Sequence, residues 1–244
     1  MVRMGGWTEG EILAFDLETT GVDRFSDVPV SYALVRIERG IVVRSWSGLI
    51  DPGREIPEEA SEVHGISSAQ ARRDGMPLQL ATAVLVDAIV AAGCQGIPIA
   101  GMKLDYDLTM VDLLSRRWWG TGLSERGWRG PVLDVSVLDR HLDPERRGSR
   151  KLGDLCRHYG VTLDHAHDAS ADAIASADVL LAMAESFPAL SVARLSGLHD
   201  HQAAWHRAHT RDQEVWRLSR GLRPSDPRDY EWPVAPLGVP AAAA

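Results

Sequence analysis

The segment Ile12–Glu18 constrains this chain most. It is a nearly unbroken apolar run of Ile12, Leu13, Ala14, Phe15 and Leu17 that carries two carboxylates, Asp16 and Glu18, and stops at Thr19-Thr20-Gly21. A short apolar run closed by a turn signal reads as a buried strand. The strand period of two then puts Asp16 and Glu18 on one face. Two like charges at a buried strand end repel, and they are costly unless a proton or a cation compensates them. An isolated pair of this kind also describes a solvated strand end. Here the apolar neighbours leave little reason for two acids.

The rest of the chain builds around that strand. Val30–Ile37 and Ile41–Ile50 are β-rich runs separated by Glu38, Arg39 and Gly40, which predicts a hairpin. Leu78–Ala92 has helical spacing, Ile97–Ala100 reads as a second short strand, and a helix is expected from near Asp107 to about Arg117. Val132–Leu142 begins extended and turns helical, Leu152–Tyr159 reads as a helix, and an Ala-rich helix runs from Ser170 to Ser186 before Pro188. Strands first, then strands alternating with helices, give a mixed α/β layer fold. Beyond it a single helix is expected over Leu190–Gly221, and Leu222–Ala244, with five prolines, is expected to be poorly ordered. The expected organisation is an N-terminal segment (1–10), a main domain (11–188), a helical extension (189–222) and a Pro/Ala-rich tail (223–244).

Length and composition bound the function. A chain of 244 residues can bury a sizeable core, and no apolar run approaches the roughly 18 residues of a membrane span. Residues 1–10 show no export pattern, and Cys94 and Cys156 stand apart without CxxC spacing, so a cytoplasmic protein without disulfides or a usual zinc site is expected. The formal charge of −8 weighs against tight sequence-independent duplex binding.

Three further residues carry chemistry. Asp107 is expected to open its helix and to share a face with Val111 and Leu114, while Asp105 and Asp112 fall on other faces and read as solvated. His167 and Asp172 are five apart, about 140° on one continuous helix, so they converge only if Asp168 or a neighbour caps the helix and His167 lies in the loop before it. The Asp172 face continues through Ala175, Ser176, Val179 and Met183, whose small members would allow close approach to the strand of Asp16 and Glu18. Four carboxylates suit hard divalent ions, two of which can clamp a phosphodiester, and a nearby histidine can take a proton from water. This combination describes a nuclease site.

These residues place the chain in a recognisable group. Phe15-Asp16-Leu17-Glu18-Thr19-Thr20-Gly21 and His167-Asp168-Ala169-Ser170-Ala171-Asp172 resemble the first and third motifs of the DEDDh exonucleases, a DnaQ-like group that includes bacterial proofreading epsilon subunits. Val63-His64-Gly65-Ile66-Ser67, Leu133-Asp134-Val135 and Lys151-Leu152-Gly153-Asp154-Leu155 resemble further segments, so the likeness covers about Ile12–Ser186. The resemblance implies an RNase-H-like mixed sheet flanked by helices, and two divalent cations, Mg²⁺ or Mn²⁺. Asp16, Glu18 and Asp172 would hold one cation, Asp16 and Asp107 would serve the second, and His167 would be general base. The backbone and side chains of Leu17, Thr19 and Thr20 would seat a 3′-terminal nucleotide, with His64 near the groove. The second motif departs from the family: Met102-Lys103-Leu104-Asp105-Tyr106-Asp107 has Lys103 where Asn is usual. Its ammonium would pair with a site carboxylate or contact a substrate phosphate, or else point outward.

The resemblance implies stepwise 3′–5′ hydrolysis of single-stranded DNA to nucleoside 5′-monophosphates. Trimming of RNA or short oligonucleotides, and a non-catalytic binding module on the same fold, stand as alternatives. Two divalent ions would offset four of the eight net negative charges, which narrows the partner to a few nucleotides at a strand end. Arg146, Arg147, Arg150 and Lys151 are expected either to track a phosphate backbone or to form a solvated loop. His199, His201, His206 and His209 do not share a helical face with carboxylates, and no metal site is expected there. Trp205 and Trp216 are expected to dock the extension on the domain or on a second copy, and a polymerase is a further candidate partner of this helix.

Overall fold

The computed structural model describes residues 6–164 and 166–238; residues 1–5 of the N-terminal segment and 239–244 of the tail lie outside them. The apolar run forms β1 (Glu11–Thr19), and the expected hairpin is β2 (Pro29–Glu38) and β3 (Ile41–Asp51). There follow α1 (Glu58–His64), α2 (Ser68–Asp74), the short β4 (Met76–Pro77) and α3 (Leu78–Cys94). Then come β5 (Ile99–Gly101), α4 (Leu104–Trp119), β6 (Val132–Asp134), α5 (Val135–Leu142), α6 (Leu152–Tyr159) and α7 (Ala169–Ser186). The sheet order is β4-β3-β2-β1-β5-β6, with β1 to β3 an antiparallel meander and β5 and β6 parallel to β1.

Alternation along β1 divides the core. Leu13, Phe15 and Leu17 pack with Leu85 and Ile89 of α3 and Leu108 and Val111 of α4. Ile12 and Ala14 face the other way, onto Leu138 of α5, Leu155 of α6 and Ala173, Ala177 and Leu180 of α7. Asp16 and Glu18 continue this second face. The buried Ala173, Ala175, Ser176 and Ala177 keep α7 slim where it lies across β1 and β2, as its composition predicts. Gly101 permits the equally close approach of β5, because a Cβ there would sit 2.5 Å from the Phe15 carbonyl oxygen.

The C-terminal part differs from expectation in two ways. The predicted single helix is two, α8 (Pro188–Ser191) and α9 (Leu195–Ser219). The Leu190 carbonyl that a continuous helix would offer to Arg194 accepts instead from the Trp7 indole at 2.8 Å and from the Ala193 N–H at 3.3 Å. Residues 223–238, expected to be poorly ordered, return across α4: Trp232 and Ala235 are buried, and the Ala235 N–H donates to Thr109 Oγ1 at 2.9 Å. Helix α9 itself covers the open edge of β6 through Gln202, whose side chain is fully buried. Trp205 docks the extension by stacking on His141 with ring centroids 3.6 Å apart, whereas Trp216 is 53% exposed. Among the described residues no helix is long and apolar enough to cross a membrane.

Candidate active site

The end of β1 sets the site. Asp16 lies opposite Ala33 and Glu18 opposite Ser31 of β2, on the face that α7 covers. At the start of α7, Asp168 is the N-cap, its Oδ1 accepting from the Ala171 N–H at 3.0 Å. His167 therefore sits in the turn before the helix, as predicted, with a left-handed backbone (φ 69°), and its N–H donates to Asp172 Oδ2 at 3.2 Å. One carboxylate oxygen each from Glu18 and Asp172 and a ring nitrogen of His167 lie within 4.8 Å of one another.

Asp107 arrives from α4, which begins three residues before Asp107 rather than at it. The displaced start has a tertiary cause. The Asp134 carboxylate accepts from the Lys103 N–H (3.1 Å) and the Leu104 N–H (2.9 Å) while also capping α5 through the Ser136 N–H (2.8 Å). In the sequence, the signal for this role of Asp134 is an Asp between an apolar strand and a helix. Asp107 is 5% exposed.

The electrostatics show four acids in one another's field. Loss of solvent, then Asp107, Glu18, Asp172 and Asp168, hold the Asp16 carboxyl well above the usual range. Glu18 is pushed up to about 8 by desolvation and then by Asp172 and Asp168. Asp107 is raised by burial, Asp105, Asp134 and Glu18, and Asp172 by burial and Asp168 against the opposing hydrogen bond and charge of His167. Among the described residues, Asp172 Oδ1 is enclosed without a hydrogen-bond partner. Crowded oxygen donors of this kind, one with an orphaned lone pair, fit a divalent cation.

Around the carboxylates the outcome is mixed. Leu17 is buried, and Thr19 Oγ1 donates to the Gly21 carbonyl at 2.7 Å beside the Tyr106 hydroxyl, which donates to the same carbonyl at 2.6 Å. Thr20 corrects an expectation about its side chain. It is 1% exposed, and its hydroxyl donates to Asp27 at 2.7 Å and accepts from the Val28 N–H, so it braces the loop. His64 Nδ1 accepts from the Ile66 N–H at 3.1 Å, and burial followed by the charge of His167 lowers its pKa. His64 and His167 line one groove of about 460 Å³ that also holds Tyr32 and Gln70. Lys103 is exposed with a left-handed backbone (φ 59°), and among the described residues it makes no ion pair with a site carboxylate.

Two acids expected to be solvated, Asp105 and Asp112, are engaged, and so are two arginines of the basic loop. Asp105 pairs with the buried Arg24, which also holds Asp229 of the C-terminal segment. Asp112 is 3% exposed, pairs with Arg116 at 2.7 Å and accepts from the Leu123 N–H. Arg146 and Arg150 of the basic loop both bond the fully buried Asp139, which removes them from any backbone-tracking role; Arg147 and Lys151 remain exposed.

A mixed sheet with helices on both faces, and carboxylates gathered from β1, α4 and α7, defines an RNase-H-like exonuclease fold. The exonuclease family model (RNase_T) matches residues 13–180, and the chain belongs to this family, in its DnaQ-like 3′–5′ class. The PolC-type DNA polymerase III of Lacticaseibacillus paracasei is 30% identical over 195 residues, 80% of this chain and 13% of the polymerase. Exonuclease I from Methylocaldum szegediense superposes with a TM-score of 0.60 at 24% identity over 74% of this chain and 42% of that one. The zinc-bound complex of Escherichia coli exonuclease I with single-stranded DNA gives 0.63 at 19% identity over 90% and 46%. The chain thus spans about an eighth of the polymerase and under half of the exonuclease I chains.

Proposed function

We propose that this chain hydrolyses single-stranded DNA from its 3′ end, releasing nucleoside 5′-monophosphates. The observation that carries this reading is the convergence of Asp16, Glu18, Asp107 and Asp172 at one end of β1 with His167 beside them. Asp16, Glu18 and Asp172 would hold one divalent cation, and Asp16 with Asp107 a second; Mg²⁺ or Mn²⁺ suits an all-carboxylate set. When bound, such cations stabilise negative charge on the attacking and leaving oxygens of a phosphodiester.

The chain's own residues supply the rest. His167 has its backbone N–H tied to Asp172, and no hydrogen bond among the described residues holds its ring, which leaves a ring nitrogen to accept the proton of the attacking water. The water oxygen bonds to phosphorus, the P–O3′ bond breaks, and the departing O3′ takes a proton from solvent to become the strand's new 3′-hydroxyl. Leu17, and the backbone at Thr19 and Thr20, would seat the terminal nucleotide, with Tyr106 fixing that loop through Gly21. His64 would flank the base or sugar in the groove it shares with His167. Lys103, exposed at the head of the Asp107 helix, would meet a substrate phosphate.

DNA is favoured over RNA because the solved exonuclease I neighbour is a single-stranded DNA complex and the curated relative is a DNA polymerase. The same relative supports a polymerase as partner, docking near the end of α9 where Val215, Trp216 and Leu218 are exposed. Matched 5′-labelled DNA and RNA strands incubated with Mg²⁺ or Mn²⁺, or with chelator, test the reading. A metal-dependent ladder on DNA supports it; a ladder on RNA alone transfers the activity to RNA; no product on either favours a binding module.

A further inference from the structure

A pocket between α5 and α9 lies outside the carboxylate site. It is lined by Val137 and Arg140 of α5 and by Trp205, His206, His209 and Asp212 of α9, among others. Arg140 is partly buried, and among the described residues it makes no hydrogen bond or ion pair. No Arg140 nitrogen is fully enclosed, so its five donors remain open to an anion from solvent.

The acids whose fields reach Arg140 are already engaged. Asp134 accepts from the N–H groups that open α4 and α5, Asp139 holds Arg146 and Arg150, and Asp105 holds Arg24. His209 presents a second unmet donor or acceptor, since its Nε2 is enclosed without a partner among the described residues. His206 Nε2 contacts the Asp229 carbonyl oxygen at 2.8 Å, which fixes its ring at the pocket wall. Asp212 is the one carboxylate among the lining residues; it is exposed and, against the sequence expectation, shares this face of α9 with His206 and His209. Burial first, then Arg140 and His206, disfavour the charged His209 ring, with Asp212 opposing them.

We infer that this pocket binds a phosphate group, with Arg140 and His209 as its donors. If the exonuclease reading holds, the phosphate is that of a nucleotide upstream in the strand whose 3′ end is being cut; this assignment rests on that reading. Free phosphate or a released mononucleotide carries the same chemistry.

Two measurements on the full chain, both in chelator so that nothing is hydrolysed, test the inference. Inorganic phosphate is titrated at constant ionic strength against the ring signals of ¹⁵N-histidine protein, with His209 assigned through His209→Gln. A short 5′-labelled single strand is bound at several salt concentrations to wild type, Arg140→Gln and Arg140→Lys. A saturable His209 shift that Arg140→Gln abolishes establishes the site. Strand affinity about tenfold weaker in Arg140→Gln, with a salt slope smaller by about one and partial recovery in Arg140→Lys, assigns it to the strand. A shift without a change in strand binding supports the site with free phosphate as its ligand. No shift, with folded Arg140→Gln binding strands as wild type does, overturns the inference. The phosphate arm needs no nuclease activity, so its failure and that of the exonuclease reading are separable.

Discussion

Gln202 and the main chain of Asp134 meet across 68 residues: Gln202 Oε1 accepts from the Asp134 N–H at 2.8 Å, and its Nε2 donates to the Val132 carbonyl at 2.7 Å. One side chain therefore completes the edge of β6, where another strand would otherwise pair. Because the Asp134 carboxylate starts α4, and α4 carries Asp107, the C-terminal helix supports the residue at the far end of this chain of contacts.

Gln202→Leu should destabilise the protein by about 2 to 4 kcal/mol, since it leaves a buried donor and a buried acceptor unmatched. Urea denaturation checks this. The same variant should lower turnover more than it raises KM, because it disturbs the placement of Asp107 rather than the nucleotide seat.

Asp16→Asn should abolish hydrolysis yet raise the melting temperature of the metal-free protein. The carboxylate it removes is raised by desolvation and by three neighbouring site acids. A gain of about 1 kcal/mol corresponds to roughly 2 to 4 °C at this chain length. Calorimetry in chelator reads it.

The pH dependence of the metal-free protein has a definite sign. Glu18 titrates near 4.5 when unfolded and is pushed up to about 8 when folded, and Asp134 rises from 3.8 to about 6. At these two acids the folded state binds more protons, and above about pH 6.5, where the histidines whose pKa burial lowers are neutral in both states, stability falls as pH rises to about 8. Melting curves in chelator should show this loss, and Mg²⁺ or Mn²⁺ should restore more stability at pH 8 than at pH 5. A flat or rising profile in chelator would contradict the burial of these acids.

Lys103→Asn should raise unfolding stability by about 0.5 kcal/mol, because Asn tolerates the left-handed backbone at φ 59° better than Lys does. If strand affinity in chelator falls at the same time, the exposed ammonium contacts phosphate.

What the sequence revealed was local. The alternation of β1, the small face of α7 and the Asp168 cap are written in neighbouring residues, and they located Asp16, Glu18, His167 and Asp172. The start of α4 depends on Asp134, 30 residues away, and so was misplaced. Asp105 read as solvated because its partner Arg24 is 81 residues distant, and the basic loop read as open, to phosphate or solvent, because spacing alone does not show that Arg146 and Arg150 fold back onto Asp139 of the preceding helix. The Pro-rich tail has the composition of a disordered end, yet Thr109 and Arg24 hold it in place. No spacing rule announces such contacts.

The central claim is that the four converging carboxylates and His167 constitute a 3′ exonuclease site. Its most direct measurement is the release of nucleotides from a 3′-labelled single DNA strand by wild type, Asp16→Asn and His167→Gln with Mg²⁺. Wild type should release nucleoside 5′-monophosphate, with a loss of at least about 10³-fold in Asp16→Asn and of about 10²-fold or more in His167→Gln. Release by Asp16→Asn at the wild-type rate would contradict it.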